Sequence, residues 1–211
     1  MDGVRLENFI IGIIVIMFSI SLHEFGHAIA ADKLGDPGPR RMGRITLWPG
    51  AHFDPLGFIM ICLTMWIGLG IGWGKPVLVE PRMFRNPRRD MILVAIAGPI
   101  MNLLLAIVFG IVVRIMLQTG TLPPNATGQL LYGFVLINLS LLFFNLIPIH
   151  PLDGGKILSG LLPRDLSDKF DTFMWQWGAL ILLFSCFSGN GIFRTVISPA
   201  VESTARIILG L

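Results

Sequence analysis

Two histidines four residues apart, with a glutamate beside the first, open the chemistry available to this chain: His23-Glu24-Phe25-Gly26-His27. On a helix, residues at that spacing share one face about a turn apart. Two imidazoles can then grip one zinc ion while Glu24 stays free to act as a base. A catalytic zinc needs a third protein ligand and an open position for water. Asp153 is the best candidate, in Asn145-Leu146-Ile147-Pro148-Ile149-His150-Pro151-Leu152-Asp153-Gly154-Gly155. Pro148, Pro151 and the two glycines break a helix there, which lets the carboxylate swing toward an ion held on another helix. The plain alternative is an aspartate closing a turn, since Asp-Gly is a strong turn signal. Alone, the run favours the turn; beside the His-Glu-x-x-His motif it favours the ligand. His150, three residues before Asp153, could compete as a ligand, but the prolines flanking it argue against a regular helix aligning the two.

The elements that position these groups belong to a bilayer. The chain has 211 residues, 54% hydrophobic and 14% charged, with a mean hydropathy of +0.75. Soluble domains carry about 25% charged residues, so this composition reads as an integral membrane protein. The pI of about 9.2 and net charge of +3 do not point to nucleic acid, because the basic residues sit between hydrophobic runs. Such charges suit cytoplasmic loops. Cys62 and Cys186 both lie in apolar segments and read as small buried hydrophobes rather than a disulfide or metal pair. The start, Met1-Asp2-Gly3-Val4-Arg5-Leu6-Glu7, lacks the basic lead-in and cleavage site of a secretory signal, so the first apolar helix is expected to be permanent.

The expected fold is all-α and polytopic, with about five to six transmembrane helices in a single domain, 1–211. The catalytic core covers about 7–160, and C-terminal helices cover about 172–210. Spans are drawn at Glu7 to Leu34, Pro55 to Gly72, Asp90 to Leu117 and Gly128 to Ile149, with weaker ones at Thr172 to Phe187 and Ile192 to Leu209. Trp175 and Trp177 suit an interfacial anchor. The loop from Gly35 to Asp54 carries Arg40, Arg41 and Arg44, and the loop from Trp73 to Arg89 carries Lys75, Arg82, Arg85, Arg88 and Arg89. Both are therefore placed in the cytoplasm, and the uncharged Thr119 to Thr127 outside. Pro55 to Gly72, flanked by basic loops on both sides, is expected to enter and return from the cytoplasmic side, its glycines allowing the bend. The competing arrangement is an ordinary short span with one basic loop outside. Arg44-Ile45-Thr46-Leu47-Trp48 is β-branched enough for a short β element at the membrane surface.

The His-Glu-x-x-His in the first membrane helix, with the Asn-x-x-Pro-x-x-x-Leu-Asp-Gly run late in the chain, resembles the site-2 protease family of intramembrane zinc metalloproteases. Ala97-Gly98-Pro99-Ile100-Met101-Asn102, His52-Phe53-Asp54-Pro55-Leu56-Gly57 and Trp73-Gly74-Lys75-Pro76-Val77 are similar to that family's pattern too. The resemblance covers about Ser21 to Leu158, in a compact form without PDZ or CBS domain. It implies one zinc per chain, held by His23, His27 and Asp153, with Glu24 catalytic. It also implies that Asn145 contacts the substrate carbonyl or oxyanion. Asn102 would be structural or substrate-facing, and is counted with Asn145 and His52 among the substrate-contacting candidates. An equal reading has His52 stabilising its own loop. His150 departs from the family form, where a proline is more usual.

The expected chemistry is hydrolysis of peptide bonds within or near transmembrane segments. Zinc brings bound water toward a pKa of about 7, Glu24 moves its proton to the leaving amine, and Asn145 donates to the developing oxyanion. Two neutral histidines, one carboxylate ligand and Glu24 leave the loaded site near neutral, as a low-dielectric setting requires. Substrate helices must unwind locally, and an extended substrate could pair with an edge at Arg44 to Leu47. The alternative is a non-proteolytic zinc-binding membrane protein or transporter, which would have no need of Glu24. Partners are transmembrane segments of membrane-anchored substrates and the lipid bilayer, with no nucleic acid. The basic loops place both ligand-bearing segment ends, and so the active site, toward the cytoplasm, and a prokaryotic cell membrane is the expected setting.

Overall fold

The computed structural model describes residues 3–67, 72–187 and 191–211, with side chains except at 3–5, 67, 186 and 187. The readings of Cys186, Gly68 and Gly70 lie outside what is described. Three helices among the described residues are long and apolar enough to cross a membrane: α1 (Gly3–Leu34), α4 (Pro87–Gln118) and α5 (Ala126–Asn145). At 1.5 Å per residue, the 32-residue α1 and α4 are each about 48 Å long, more than a hydrocarbon core of about 30 Å. Shorter elements are α2 (Gly38–Arg41), α3 (Pro55–Ile67), α6 (Asp153–Leu161), α7 (Arg164–Phe187) and α8 (Ser198–Leu209).

The bundle buries polar side chains beside its apolar core and exposes large apolar ones. Leu6, Ile10, Ile14 and Phe18 on α1, and Ile96, Ile100, Leu104, Ile107, Ile111 and Ile115 on α4, recur at helical spacing and are exposed. Ser19, Ser21, His23, His27, Asn102 and Asn138 face inward and are buried. Hydrocarbon outside would give this inverted pattern, because polar groups in a bilayer must find partners within the protein. The chain is a multi-pass membrane protein. An apolar core unites α4, α5 and α8 through Ala106, Val113, Val135, Leu139, Leu142, Val201 and Ala205, and Phe109 stacks on Phe134 with centroids 4.2 Å apart.

Between α1 and α4 the chain stays against α1: Trp66 of α3 meets Phe9 with ring centroids 5.5 Å apart, and Met65 meets Gly12. After α3, Gly72 packs so closely on Ile61 that an added Cβ would stand 2.9 Å from its Cα, and Trp73 lies against Gly57. Lys75 N–H then donates to His52 O at 2.8 Å. The returning backbone therefore runs alongside α3 in the opposite direction.

No strand forms among the described residues, and the expected β element at Arg44 to Trp48 is a pair of bends leading to a 3₁₀ turn at Pro49–His52. The reason lies in Arg44. Its guanidinium is buried and donates to Ala51 O, Lys75 O and Pro76 O, so the stretch folds around a side chain instead of pairing its backbone. The weaker expected spans fall on α7, whose first turns carry Arg164, Asp165, Asp168, Lys169 and Asp171, and on the run into α8, with Arg194, Glu202 and Arg206.

The end of α5 breaks as the prolines require. Leu146 to Leu152 form successive turns, and α6 begins at Asp153. A Cβ on Gly154 would run into the carbonyls of Leu146 and Ile147, so only glycine lets α6 nest on this corner. Asp153, in the first turn of α6, also has its carboxylate at the positive end of the helix dipole.

Candidate metal centre

His23 and His27 project from one face of α1, and the α5–α6 corner delivers Asp153 to them. The two Nε2 atoms are 3.0 Å apart, and each is 3.1 Å from Asp153 Oδ2. All three residues are buried.

The outer nitrogens decide what the inner ones can be. His27 Nδ1 lies 2.7 Å from Val94 O, which can only accept, so Nδ1 carries the proton. His23 Nδ1 lies 2.6 Å from Asn102 Oδ1. The Asn102 amide donates to Asn138 Oδ1 at 2.8 Å and Ser19 O at 3.4 Å, which fixes its oxygen toward His23. Asn138 in turn donates to Ser19 Oγ at 2.9 Å and Phe134 O at 2.8 Å. Both Nε2 atoms are then lone pairs, turned toward each other and toward a carboxylate oxygen.

Asp153 Oδ2 is buried without a hydrogen-bond partner. Three converging acceptors repel unless a cation sits among them. Tetrahedral zinc with bonds of about 2.0–2.1 Å separates its donors by about 3.3 Å, so the observed spacings fit that ion to within a few tenths. The residues present suit zinc.

Glycine makes the approach of α4 possible. A Cβ on Gly98 would lie 2.6 Å from His27 Cε1 and 2.7 Å from His23 Cε1, so the α4 backbone presses directly on both imidazoles. Gly26, between the two histidines, meets Ala97 O and Met101 in the same way. Asn102 follows one turn after Gly98 on the same face, which is why it reaches His23.

Glu24 stands outside the triad, half-buried, with Oε2 accepting from Val77 N–H at 2.9 Å. Val77 belongs to the extended return after α3, pinned by Arg44 on the carbonyls of Lys75 and Pro76 and by Asp36, whose Oδ2 accepts from Glu80 N–H at 2.8 Å. Burial pulls the Arg44 guanidinium below its ordinary pKa, and the nearby Glu24 carboxylate opposes that shift. Lys156 donates to Asp153 Oδ1 at 3.1 Å, one turn along α6. It adds a positive charge that the sequence-based bookkeeping left out.

The remaining expected site residues fall elsewhere. Asn102 is fully buried with its amide committed to His23, Ser19 and Asn138, so it backs a ligand instead of facing substrate. Asn145 ends α5, and its amide donates back to Leu141 O at 3.0 Å. His52 is buried, with Nε2 2.9 Å from Thr46 O, a loop-stabilising contact; burial lowers its pKa, opposed by that hydrogen bond. His150 turns away from the triad and meets Asp171 Oδ1 at 2.9 Å. Arg44, Val77 and Lys156 were missed. Two of them left a signal: Lys156 in its helical spacing from Asp153, and Val77 as the last residue of the Trp73-Gly74-Lys75-Pro76-Val77 stretch.

The model of peptidase family M50 matches residues 11–122 and 115–185. The chain belongs to peptidase family M50. YwhC of Bacillus subtilis is 37% identical over 81% of this chain and 77% of its own length. Rip2 of Mycobacterium tuberculosis strain H37Rv is 33% identical over 86% of this chain and 69% of its own, and both carry "zinc metalloprotease" in their names. The zinc metalloprotease MJ0392 of Methanocaldococcus jannaschii is 30% identical over 92% of the chain, which spans about half (49%) of that protein. No solved structure gave a significant match. Family and site agree: this M50 chain is an intramembrane zinc metallopeptidase of the site-2 protease type, and the transporter reading is not favoured.

Proposed function

We propose that His23, His27 and Asp153 hold the zinc, that Glu24 is the catalytic base, and that the enzyme cuts peptide bonds in transmembrane segments near the cytoplasmic face. The carrying observation is the convergence of three lone-pair donors at 3.0–3.1 Å with a carboxylate beside them that is not one of the three. Bound zinc supplies Lewis acidity toward the scissile carbonyl and acidifies the attacking water. Glu24, held by Val77 N–H, takes the water's proton and delivers it to the leaving amine. Asn102 and Val94 O keep both imidazoles in the Nδ1–H form. Asn145 donates to the developing oxyanion through the second N–H of its amide, the first being held by Leu141 O.

In purified full-length protein, Glu24→Gln is expected to retain zinc and lose about 10²–10⁴-fold in cleavage of a membrane-segment substrate. His23→Ala is expected to lose the metal. Cleavage by Glu24→Gln at the wild-type rate would sink the base assignment; full zinc occupancy in His23→Ala would sink the ligand set.

Pro55 to Gly72 is read as a re-entrant element on the cytoplasmic side, within a bundle of five or six membrane helices. The antiparallel return, with Lys75 bonded to His52, supports this by bringing both ends to one level. Single cysteines at Phe53 and Leu78 should then react with an impermeant thiol reagent from the same side of sealed vesicles. Labelling from opposite sides would make the segment an ordinary span.

A further inference from the structure

α7 lies against the corner that carries Asp153 and is polar on the wrong face for an ordinary amphipathic helix. Ser167, Phe170, Asp171, Trp175 and Gly178 share one face at helical spacing and all meet the corner or α6. Phe173, Trp177, Leu180 and Phe184 form the opposite, exposed face. Asp171 is the centre of the contact. Its Oδ1 meets His150 Nε2 at 2.9 Å, and its Oδ2 accepts from Ser159 Oγ at 2.7 Å. His150 precedes Asp153 by three residues and Ser159 follows it by six, so one carboxylate ties both flanks of the ligand.

The grip on His150 is more than one bond. The Phe170 and Trp175 rings approach its imidazole with centroids 5.7 and 6.3 Å away, and a Cβ on Gly178 would stand 2.5 Å from its carbonyl oxygen. On the α6 side, Ser167 Oγ donates to Ser159 O at 2.9 Å. The corner needs such bracing. Asp153 sits where a helix has been broken by prolines; Ile147 and Leu152 seat the corner in the apolar core, but its backbone between α5 and α6 is held only by short turns.

We propose that Asp171 is a positioning residue for the third zinc ligand: α7 clamps the corner through Asp171, and the clamp sets how firmly Asp153 holds the metal. This rests on the reading of Asp153 as a ligand. Asp171 touches neither metal nor substrate and acts through His150 and Ser159. Groups that support a ligand from outside typically change metal affinity about 10–100-fold when removed.

The test is zinc release from zinc-loaded, purified full-length protein to a chelator, alongside helix content and thermal unfolding. Asp171→Ala is expected to speed release about tenfold. Asp171→Asn should fall between, since its single oxygen can accept only one of the two bonds, and Asp171→Glu should recover part of the loss. His150→Ala and Ser159→Ala each remove one half of the clamp, and His150→Ala combined with Asp171→Ala should be no worse than Asp171→Ala alone. Should Asp171→Ala fail to fold, the two half-clamp variants carry the test. Release at the wild-type rate in all three, or additive effects of His150→Ala and Asp171→Ala, would overturn the proposal. His23→Ala, measured in parallel, separates failures: if it keeps its zinc, the ligand set is wrong and the proposal falls with it; if it loses zinc while the clamp variants release at the wild-type rate, the clamp alone is overturned.

Discussion

The histidine half of the metal centre and the aspartate half are supported in opposite ways. His23 and His27 stand within a continuous helix, and behind them Asn102, Asn138 and Ser19 are all fully buried and bonded to one another across three helices. Asp153 starts a nine-residue helix at a broken corner seated on Ile147 and Leu152, and the polar contacts around it come from Lys156 and α7, where side chains remain partly open to solvent. Where a ligand sits on regular helix, position is set by the backbone and the surrounding polar groups need only fix the tautomer. A corner leaves position undetermined, so side chains must supply it.

That contrast can be broken by removing one support from each half. Asn102→Ala should have the larger effect, weakening zinc about 10–100-fold, because it frees the His23 tautomer and strands buried polar groups on Asn138 and Ser19. Competition against a chelator of known affinity measures it. A loss below threefold would mean that the helix alone orients His23. Lys156→Ala should have the smaller effect, about two- to fivefold, because a cation open to solvent contributes about 0.2–1 kcal/mol and is screened by salt. Its deficit should shrink as salt is raised. A salt-independent loss as large as that of Asn102→Ala would erase the distinction between the two halves.

How much of this was readable in the chain follows the same divide. His23, Glu24, His27 and Asp153 stood out by residue type in apolar sequence, and the fold brings His23, His27 and Asp153 within 3.1 Å of one another with Glu24 outside that group. Asn102 was visible as a motif residue, but its direction depends on which face of α4 meets α1, and that is decided by the glycine contact at Gly26 and Gly98. Asp171 gave no signal, because an aspartate among Arg164, Asp165, Asp168 and Lys169 reads as a solvated face. The spans at α1, α4 and α5 were plain from hydropathy. The strand at Arg44 to Trp48 was misread because β-branched residues promise a ladder, whereas the fold there is organised by one arginine collecting carbonyls. Nothing in residue type announces which carbonyls those are.

The Ser19–Asn138–Asn102 chain also has a consequence for how the protein is built. Helices inserted separately into a bilayer must find one another sideways, and apolar surfaces sliding on apolar surfaces give little sense of register. A one-residue slip of α1 turns its face by about 100°. It would separate Ser19 from Asn138 and His23 from Asn102 in a single step, leaving several polar groups bare in hydrocarbon. The network therefore ties the register of α1 against α4 and α5 to the full pairing of these groups, and the same register sets the His23 ring against Asn102.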